Sequence, residues 1–207
     1  MGNVRLYGST SGYTELAPPA VAPDGVLSLP SGTGTIATQD YAASAGGLVH
    51  INTTTFSAVS SVSLNDVFSA TFNNYRIVAK FVTSSYALPV FFRYRVGGVD
   101  NTSTATYLTR GGDQGAFISA AVDASEFRVC SGYPGGNYFT MDSLDPFASQ
   151  YTTGGFNSSA TLIGVADTAR FGSFTHASNT SFDGFTLYTT SGTTTGTVRV
   201  YGYKNGA

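Results

Sequence analysis

The strongest constraint on the fold of this chain is a two-residue alternation of apolar and other side chains over residues 75–83 and 90–96. Successive side chains of a β-strand point to opposite faces, so this alternation predicts two strands that each cover a core with one face. One face is predicted to carry Tyr75, Ile77, Ala79 and Phe81 on the first strand, and Val90, Phe92, Tyr94 and Val96 on the second. The opposite faces carry Arg76, Val78, Lys80 and Val82, then Phe91, Arg93 and Arg95.

Shorter segments of similar character follow, separated by clusters of Gly, Asn and Ser with no helical period between them. They predict strands over residues 48–56, 59–64, 104–108, 116–121, 127–129, 138–141, 161–166, 170–175, 184–190 and 196–203. Only 11% of residues are charged, against about 25% in ordinary soluble domains. We therefore predict an all-β fold, with a β-sandwich head domain over residues 48–207. A jelly-roll-like sandwich is favoured over an immunoglobulin-like one, because the strand count is high and a Cys–Trp–Cys core is absent.

Residues 1–47 have a different organisation, with short strand-like pieces separated by turns that contain Pro or Gly. The pieces are Val4–Tyr7, Tyr13–Leu16, Val26–Leu29 and Thr35–Thr38. An isolated hairpin is marginal in water, so its apolar residues need a partner surface. Residues 40–44 are compatible with one helical turn, and the small-residue run ending at Gly46-Gly47 marks the predicted domain boundary. The side chains expected to make arm contacts are Val4, Leu6, Tyr7, Tyr13, Leu16, Val26, Leu27, Leu29 and Ile36.

Two partner surfaces are open to this N-terminal arm, namely copies of the same arm and the rest of the chain. Closed symmetry is the usual form of a homo-oligomer, and three-fold association would also hide strand edges. We therefore expect a homotrimer held by an attachment and trimerisation arm. The alternative is that the arm folds back onto the sandwich as additional edge strands.

Charge and hydropathy exclude several classes of partner. The net charge of −2 provides no basic surface for nucleic acid, and no apolar run reaches the roughly 18–20 residues of a membrane span. The first residues lack the apolar stretch of a signal peptide, and the single Cys130 excludes an intrachain disulfide. Synthesis in a reducing cytoplasm and release without the secretory route are therefore expected.

The residues capable of catalysis or metal binding are few. His50 and His176 each lie in a predicted strand, without a second ligand at a zinc-like spacing, and Cys130 is interpreted as a small buried residue. Asp142 and Asp145 are the closest acidic pair and would suit glycoside hydrolysis or a calcium ion. Loop Asp residues more often form local turns, the interpretation also given to Asp100 and Asp113. No catalytic residue, metal site or cofactor is predicted.

Two aromatic stretches, residues 133–139 and 151–157, offer the best candidate binding surface. Exposed Tyr, Asn and Gly in loops provide stacking faces and adaptable hydrogen bonds for a sugar or a protein. The residues proposed for this ligand-binding loop are Tyr133, Asn137, Tyr138, Tyr151 and Asn157. The alternative is that these side chains cap the core or pack across a trimer axis. Arg93 and Arg95 share one strand face and are expected to pair with Asp across a sheet or a subunit boundary.

Several segments carry a resemblance to known proteins. The arm VRLYGSTSGYTELAPPAVAPDGVLSLPSGTGTIAT resembles segments of fibre and minor tail proteins of tailed bacteriophages. NNYRIV, RVGGVDN and TGTVRVYGYK are similar to parts of a globular domain in phage virion proteins. The resemblance implies a virion structural protein, homotrimeric, with an attachment arm and a β-sandwich head.

Three classes of function follow from these observations. The first is a non-enzymatic fibre or spike, anchored to other virion proteins by its arm, whose head binds a glycan or protein of the host surface. The second is a capsid decoration or cement protein that stabilises or ornaments the head. The third, a glycan-degrading enzyme, is disfavoured because no acid–base constellation is visible.

Overall fold

The chain divides into two compact units, Met1–Gln39 and Asp40–Ala207. The computed structural model describes residues 4–7, 10–16, 47–104, 106–113, 116–161 and 168–204. Strands are the only regular elements in these ranges, so the prediction of an all-β fold is confirmed. No helix of these residues is long and apolar enough to cross a membrane. The predicted strands over 26–29 and 35–38, the helical turn over 40–44 and nearly all of the strand over 161–166 lie outside the described residues.

The described part of the first unit is an antiparallel hairpin of β1 (Val4–Tyr7) and β2 (Tyr13–Leu16). Both strands begin and end where the sequence predicts. The register pairs Val4 with Leu16 and Tyr7 with Tyr13. Gly12 has a φ of +78°, a left-handed conformation that glycine adopts without a steric penalty. The turn chemistry and the alternating pattern therefore agree on one hairpin.

The second unit contains two sheets. Its strands are β3 (Gly47–Val59), β4 (Ser61–Leu64), β5 (Asn74–Thr83), β6 (Leu88–Val96), β7 (Val99–Asp100), β8 (Tyr107–Asp113), β9 (Ala116–Ala124), β10 (Phe127–Gly132), β11 (Asn137–Leu144), β12 (Thr152–Ala160), β13 (Thr168–His176), β14 (Gly184–Thr189) and β15 (Thr194–Lys204). The large sheet has the order β3-β15-β5-β11-β12-β13-β8-β9, and the small sheet has the order β10-β6-β14-β4 with β7 paired to β6. Every pairing among these strands is antiparallel.

One hydrophobic core lies between the two sheets and receives side chains from both. On β5 the shared face of Tyr75, Ile77, Ala79 and Phe81 is the buried one. On β6 the shared face of Val90, Phe92 and Tyr94 is buried, whereas Val96 at the strand end is 41% exposed. Aromatic rings dominate this core, and neighbouring rings pack in edge-on or offset geometries.

The buried tyrosines of this core all satisfy their hydroxyl groups. Tyr94 lies 2.7 Å from the hydroxyl oxygen of Ser143, and Tyr107 donates to the carbonyl oxygen of Asn101 at 2.8 Å. Tyr75 donates to the carbonyl oxygen of Ser69 at 2.7 Å. A buried hydroxyl without a partner would destabilise the fold by about 1–3 kcal/mol. These hydrogen bonds avoid that loss, so the core can contain several tyrosines.

The strands at the sheet edges carry irregularities that the central strands lack. Relative to its neighbour β15, the edge strand β3 has extra residues at Ile51 and at Ser57-Ala58, and Ala58 has a φ of +50°. Edge strand β10 has one extra residue, Val129, and edge strand β9 has two. The fourth edge, β4, is only four residues long. Bulges and short strands disfavour pairing with a foreign strand, and each of these four edges has one of the two features.

Candidate functional site

The hairpin of the first unit exposes an aromatic pair. Tyr7 and Tyr13 are direct cross-strand partners with ring centroids 5.9 Å apart, and they are 74% and 53% exposed. The Arg5 guanidinium lies 4.5 Å from the centre of the Tyr13 ring. Tyr and Arg are the residue types that dominate binding energy in protein interfaces. We name this group, Arg5, Tyr7 and Tyr13, the hairpin surface.

The remaining arm residues give less information. The backbone of Val4, Leu6 and Leu16 lies in the hairpin strands. The predicted contacts at Val26, Leu27, Leu29 and Ile36 lie outside the described residues. Their assignment to a trimer interface stays a prediction.

The first predicted binding loop, residues 133–139, is instead the turn between β10 and β11 and the start of β11. Tyr133 is 8% and Asn137 is 3% exposed. The Asn137 side chain accepts a hydrogen bond from the Tyr133 N–H at 2.7 Å and donates to the Phe81 and Tyr133 carbonyl oxygens at 3.0 and 2.8 Å. Because these contacts use the amide to fix the turn, the expectation that Tyr133 and Asn137 are exposed is wrong.

The second predicted loop, residues 151–157, belongs to strand β12 from Thr152 onward. Tyr138 and Asn157 are exposed on the same outer face of the large sheet, because Thr140 pairs with Asn157. Tyr151 is exposed but precedes Asn157 by six residues, which is about 20 Å at strand spacing. The structure therefore brings two of the five predicted residues, Tyr138 and Asn157, together on an exposed face, and their role in ligand binding stays a prediction.

The acidic pair Asp142 and Asp145 is separated by its local structure. Asp142 lies on the outer face of β11, where Arg76 donates two hydrogen bonds to it at 2.8 and 2.7 Å and the Tyr203 hydroxyl donates one at 2.6 Å. Burial opposes ionisation, yet these hydrogen bonds hold the Asp142 pKa below its usual value. The same burial and carboxylate raise the Tyr203 pKa to about 12. Asp142 is thus a structural anion, and the paired-carboxylate interpretation is wrong for it.

The expected ion pairs of the β6 arginines form on the outer face of the small sheet. Arg95 pairs with Asp100 of the adjoining β7, as predicted for an Asp partner. Arg93 pairs with Glu126 at 2.7 Å, so its partner is Glu rather than Asp. The Arg93 guanidinium also lies 4.6 Å from the centre of the Tyr188 ring, which stacks on Phe91.

These pairs are cross-strand contacts within the sheet and its connections, not subunit contacts. Burial opposes ionisation of Glu126, but hydrogen bonds from Ser125 and Arg93 hold its pKa below the usual value. Asp100 also accepts a hydrogen bond from the Thr186 hydroxyl at 2.6 Å. On this face of the small sheet, Arg93 and Arg95 are therefore each neutralised by a neighbouring carboxylate.

Each histidine has a structural environment. His50 is exposed on β3, with Nε2 2.8 Å from the Thr53 hydroxyl oxygen. His176 is fully buried, its ring nitrogens 3.2 and 3.0 Å from the hydroxyl oxygens of Thr106 and Ser178. Burial lowers the His176 pKa to about 4. The Cys130 thiol is buried, as predicted.

Among residues whose side chains the structure describes, no group of three or more His, Cys, Asp or Glu could hold a metal ion. Asp113, which is predicted to form a turn, is the last residue of β8, and its side chain lies outside the described set. Asp100 lies in the two-residue strand β7 rather than in a simple turn.

Two features that sequence reasoning missed concern residues far apart in the chain. Phe171, 53% exposed, is the direct cross-strand partner of Asn157, and its ring covers the backbone of Gly112. The Asp142 partners Arg76 and Tyr203 lie more than sixty residues away on other strands. An alternating pattern identifies which face each residue occupies, but only strand order identifies its neighbour.

Comparison with known proteins gives no match for this chain among protein-family models, curated proteins or solved structures.

Proposed function

We propose that this chain is a structural protein of a tailed-bacteriophage virion, a homotrimeric fibre or spike that attaches through its N-terminal arm. The observation that carries the proposal is the hairpin surface. A two-stranded hairpin is at best marginally stable in water, and this one exposes two paired tyrosines and a stacked arginine. Such a group is suited to burial against copies of itself or another virion protein.

We further propose that the second unit is a jelly-roll head. The support is a nested order of strand pairing, in which early strands pair with progressively earlier partners from the later part of the chain. The pairs are β3 with β15, β4 with β14, β5 with β11, and β6 with β10. This is the pattern of one long antiparallel ribbon that is rolled into two sheets, as in a jelly roll. Strands β8, β9, β12 and β13 then extend one of the two sheets.

The protected edges support trimerisation through the arm rather than through the head. Extension of a sheet from one subunit into the next requires pairing between edge strands. Three of the four edges of the head carry bulges and the fourth is very short. The head is proposed to stay available for contact with a host-surface glycan or protein. Its role is proposed to be binding, without a catalytic step.

Light scattering of the full-length protein tests the proposal. The expected mass is three times 21.5 kDa. Replacing Tyr13 by Ala is expected to shift the protein toward monomer. Tyr138→Ala, which removes a tyrosine of similar exposure from the head (47% against 53%), is the matched control and should remain trimeric. A monomeric wild-type protein at micromolar concentration would refute the trimer.

The same hairpin surface would also serve a capsid decoration protein, because both roles need an anchor on another virion component. The two differ in location. Gold labelling of particles at an affinity tag should place a fibre or spike on the tail and a decoration protein on the capsid. Binding of the isolated protein to host cells is expected for the fibre alone.

A further inference from the structure

An open cleft of about 300 Å³ lies between two loops of the head. One loop connects β4 to β5 and the other connects β11 to β12. We name it the loop cleft, and its lining residues are Ser69, Ala70, Phe72, Asn73, Asp145, Phe147 and Ala148. This volume is at the lower limit of small-molecule sites, about 300–1,000 Å³, so it suits a small group.

The wall of the cleft at Asp145 is held firmly in place. The Asp145 N–H donates to the Asn73 carbonyl oxygen at 2.8 Å, and this hydrogen bond joins the two loops. The Phe182 N–H donates to the Pro146 carbonyl oxygen at 2.8 Å, and the Ser181 hydroxyl donates to the Phe147 carbonyl oxygen. Asp145 itself has a φ of +52°, a left-handed conformation that Asp tolerates better than most residues.

The Asp145 carboxylate differs from most of the acidic groups whose side chains the structure describes in this unit. Asp100, Glu126 and Asp142 form ion pairs with arginines, and Asp183 accepts a hydrogen bond from the Gly97 N–H. Within the part of the chain that the structure describes, no hydrogen bond or ion pair involves the Asp145 side chain. Asp66 shares this property and has a φ of +55°, but it does not line the cleft.

The chemistry of the cleft selects a cation. Asp145 is its one charged lining residue, and the phenylalanines Phe72 and Phe147 also line it. Aromatic faces attract ammonium groups through the ring quadrupole, and a carboxylate adds direct charge attraction. Asn73 and Ser69 supply polar groups at the same opening. We propose that the loop cleft binds an ammonium group, with Asp145 as counter-ion and Phe72 and Phe147 as the aromatic walls.

This site goes beyond the proposed virion role and does not depend on the oligomeric state. The ammonium could belong to a small molecule with a quaternary headgroup or to a lysine side chain. Choline and Nα-acetyl-lysine amide represent these two sources. A matched uncharged probe is 3,3-dimethyl-1-butanol, which has the shape of choline without its charge.

The test is titration of the full-length protein with these probes, followed by NMR and calorimetry. Choline or the lysine amide should bind, and dimethylbutanol should bind at least about tenfold more weakly than choline. Asp145→Asn, which keeps size and tolerates the left-handed backbone, should weaken cation binding about tenfold, and Phe147→Ala should also weaken it. Asp66→Asn, the matched control, should bind like the wild type.

Three results would overturn the proposal. They are no binding of either cation, equal binding of choline and dimethylbutanol, and unchanged cation binding by Asp145→Asn. Thermal unfolding of each variant, compared with the wild type, establishes that a loss of binding is not a loss of fold. Failure here would leave the trimer measurement unaffected, so the two proposals are tested separately.

Discussion

Acidification is expected to destabilise the head through one buried side chain, His176. Its ring is fully buried and lies edge-on to Tyr107 and Phe182, with centroids at 4.4 and 4.7 Å. Burial disfavours the charged ring, so the folded-state pKa is about 4, against about 6.5 in an unfolded chain. The unfolded state therefore binds a proton at a higher pH than the folded state, and stability falls as the pH falls from about 6.5 to about 4.

The size of this effect follows from the two pKa values. Each unit of separation corresponds to about 1.4 kcal/mol, so the full window of roughly 2.5 units corresponds to about 3 kcal/mol. Between pH 7 and pH 5 the loss should be about 2 kcal/mol. Glu126 and Asp142 have lowered pKa values in the folded state. Their protonation therefore reduces stability only at lower pH, below their unfolded-state pKa values near 4. His176 should thus dominate the change above pH 5.

Urea unfolding at pH 7, 6 and 5 measures this loss directly. The chain has no tryptophan, so far-UV circular dichroism and tyrosine fluorescence are the suitable signals. His176→Gln should be less stable at pH 7 but should lose little further stability by pH 5. His50→Gln, which changes the one other histidine, should keep the wild-type pH dependence. A wild-type protein of equal stability at pH 7 and pH 5, or an unchanged slope in His176→Gln, would refute the reasoning.

Two further predictions concern stability. Gly154→Ala should lower the free energy of unfolding by about 1–3 kcal/mol, because a Cβ there would lie 2.0 Å from the Asp142 carbonyl oxygen. Gly155→Ala is the control, because its Cβ would lie 3.4 Å from the nearest atom. It should change the free energy of unfolding by less than about 0.5 kcal/mol. Tyr94→Phe should cost about 1–3 kcal/mol because it leaves the buried Ser143 hydroxyl unpaired. Tyr86→Phe, at a site 68% exposed, is its control in urea unfolding and should be neutral.

The parts of the fold that the sequence predicts are those in which local pattern and burial coincide. On β5 every second side chain is buried, so the residues that alternation places on one face do share one environment. The bounds of β1 and β2 were also predicted from the sequence, because turn-forming residues separate two short strand-like segments. Such local rules need no knowledge of neighbouring strands.

Strand β12 was missed for a physical reason. Its sequence contains Gly154, Gly155, Asn157 and two serines, residue types that are depleted in strands. At Gly154 the Phe174 ring and the Asp142 carbonyl oxygen occupy the space of a side chain, so the strand needs glycine there. That requirement comes from strands β11 and β13, which a local pattern cannot identify. The same limitation explains why Asp142 was grouped with Asp145 rather than with Arg76.

The edge structure links the fold to the proposed assembly. The described residues of the second unit form thirteen strands, so unwanted strand pairing has many opportunities, and charged residues that would normally discourage it are scarce. Strand β3 has thirteen residues without a Lys, Arg, Asp, Glu or Pro, and its two bulges interrupt the regular ladder of this edge. A head protected in this way can be present at high local concentration without joining its neighbours edge to edge. In the proposed assembly, association is left to the arm, where the hairpin exposes Tyr7 and Tyr13.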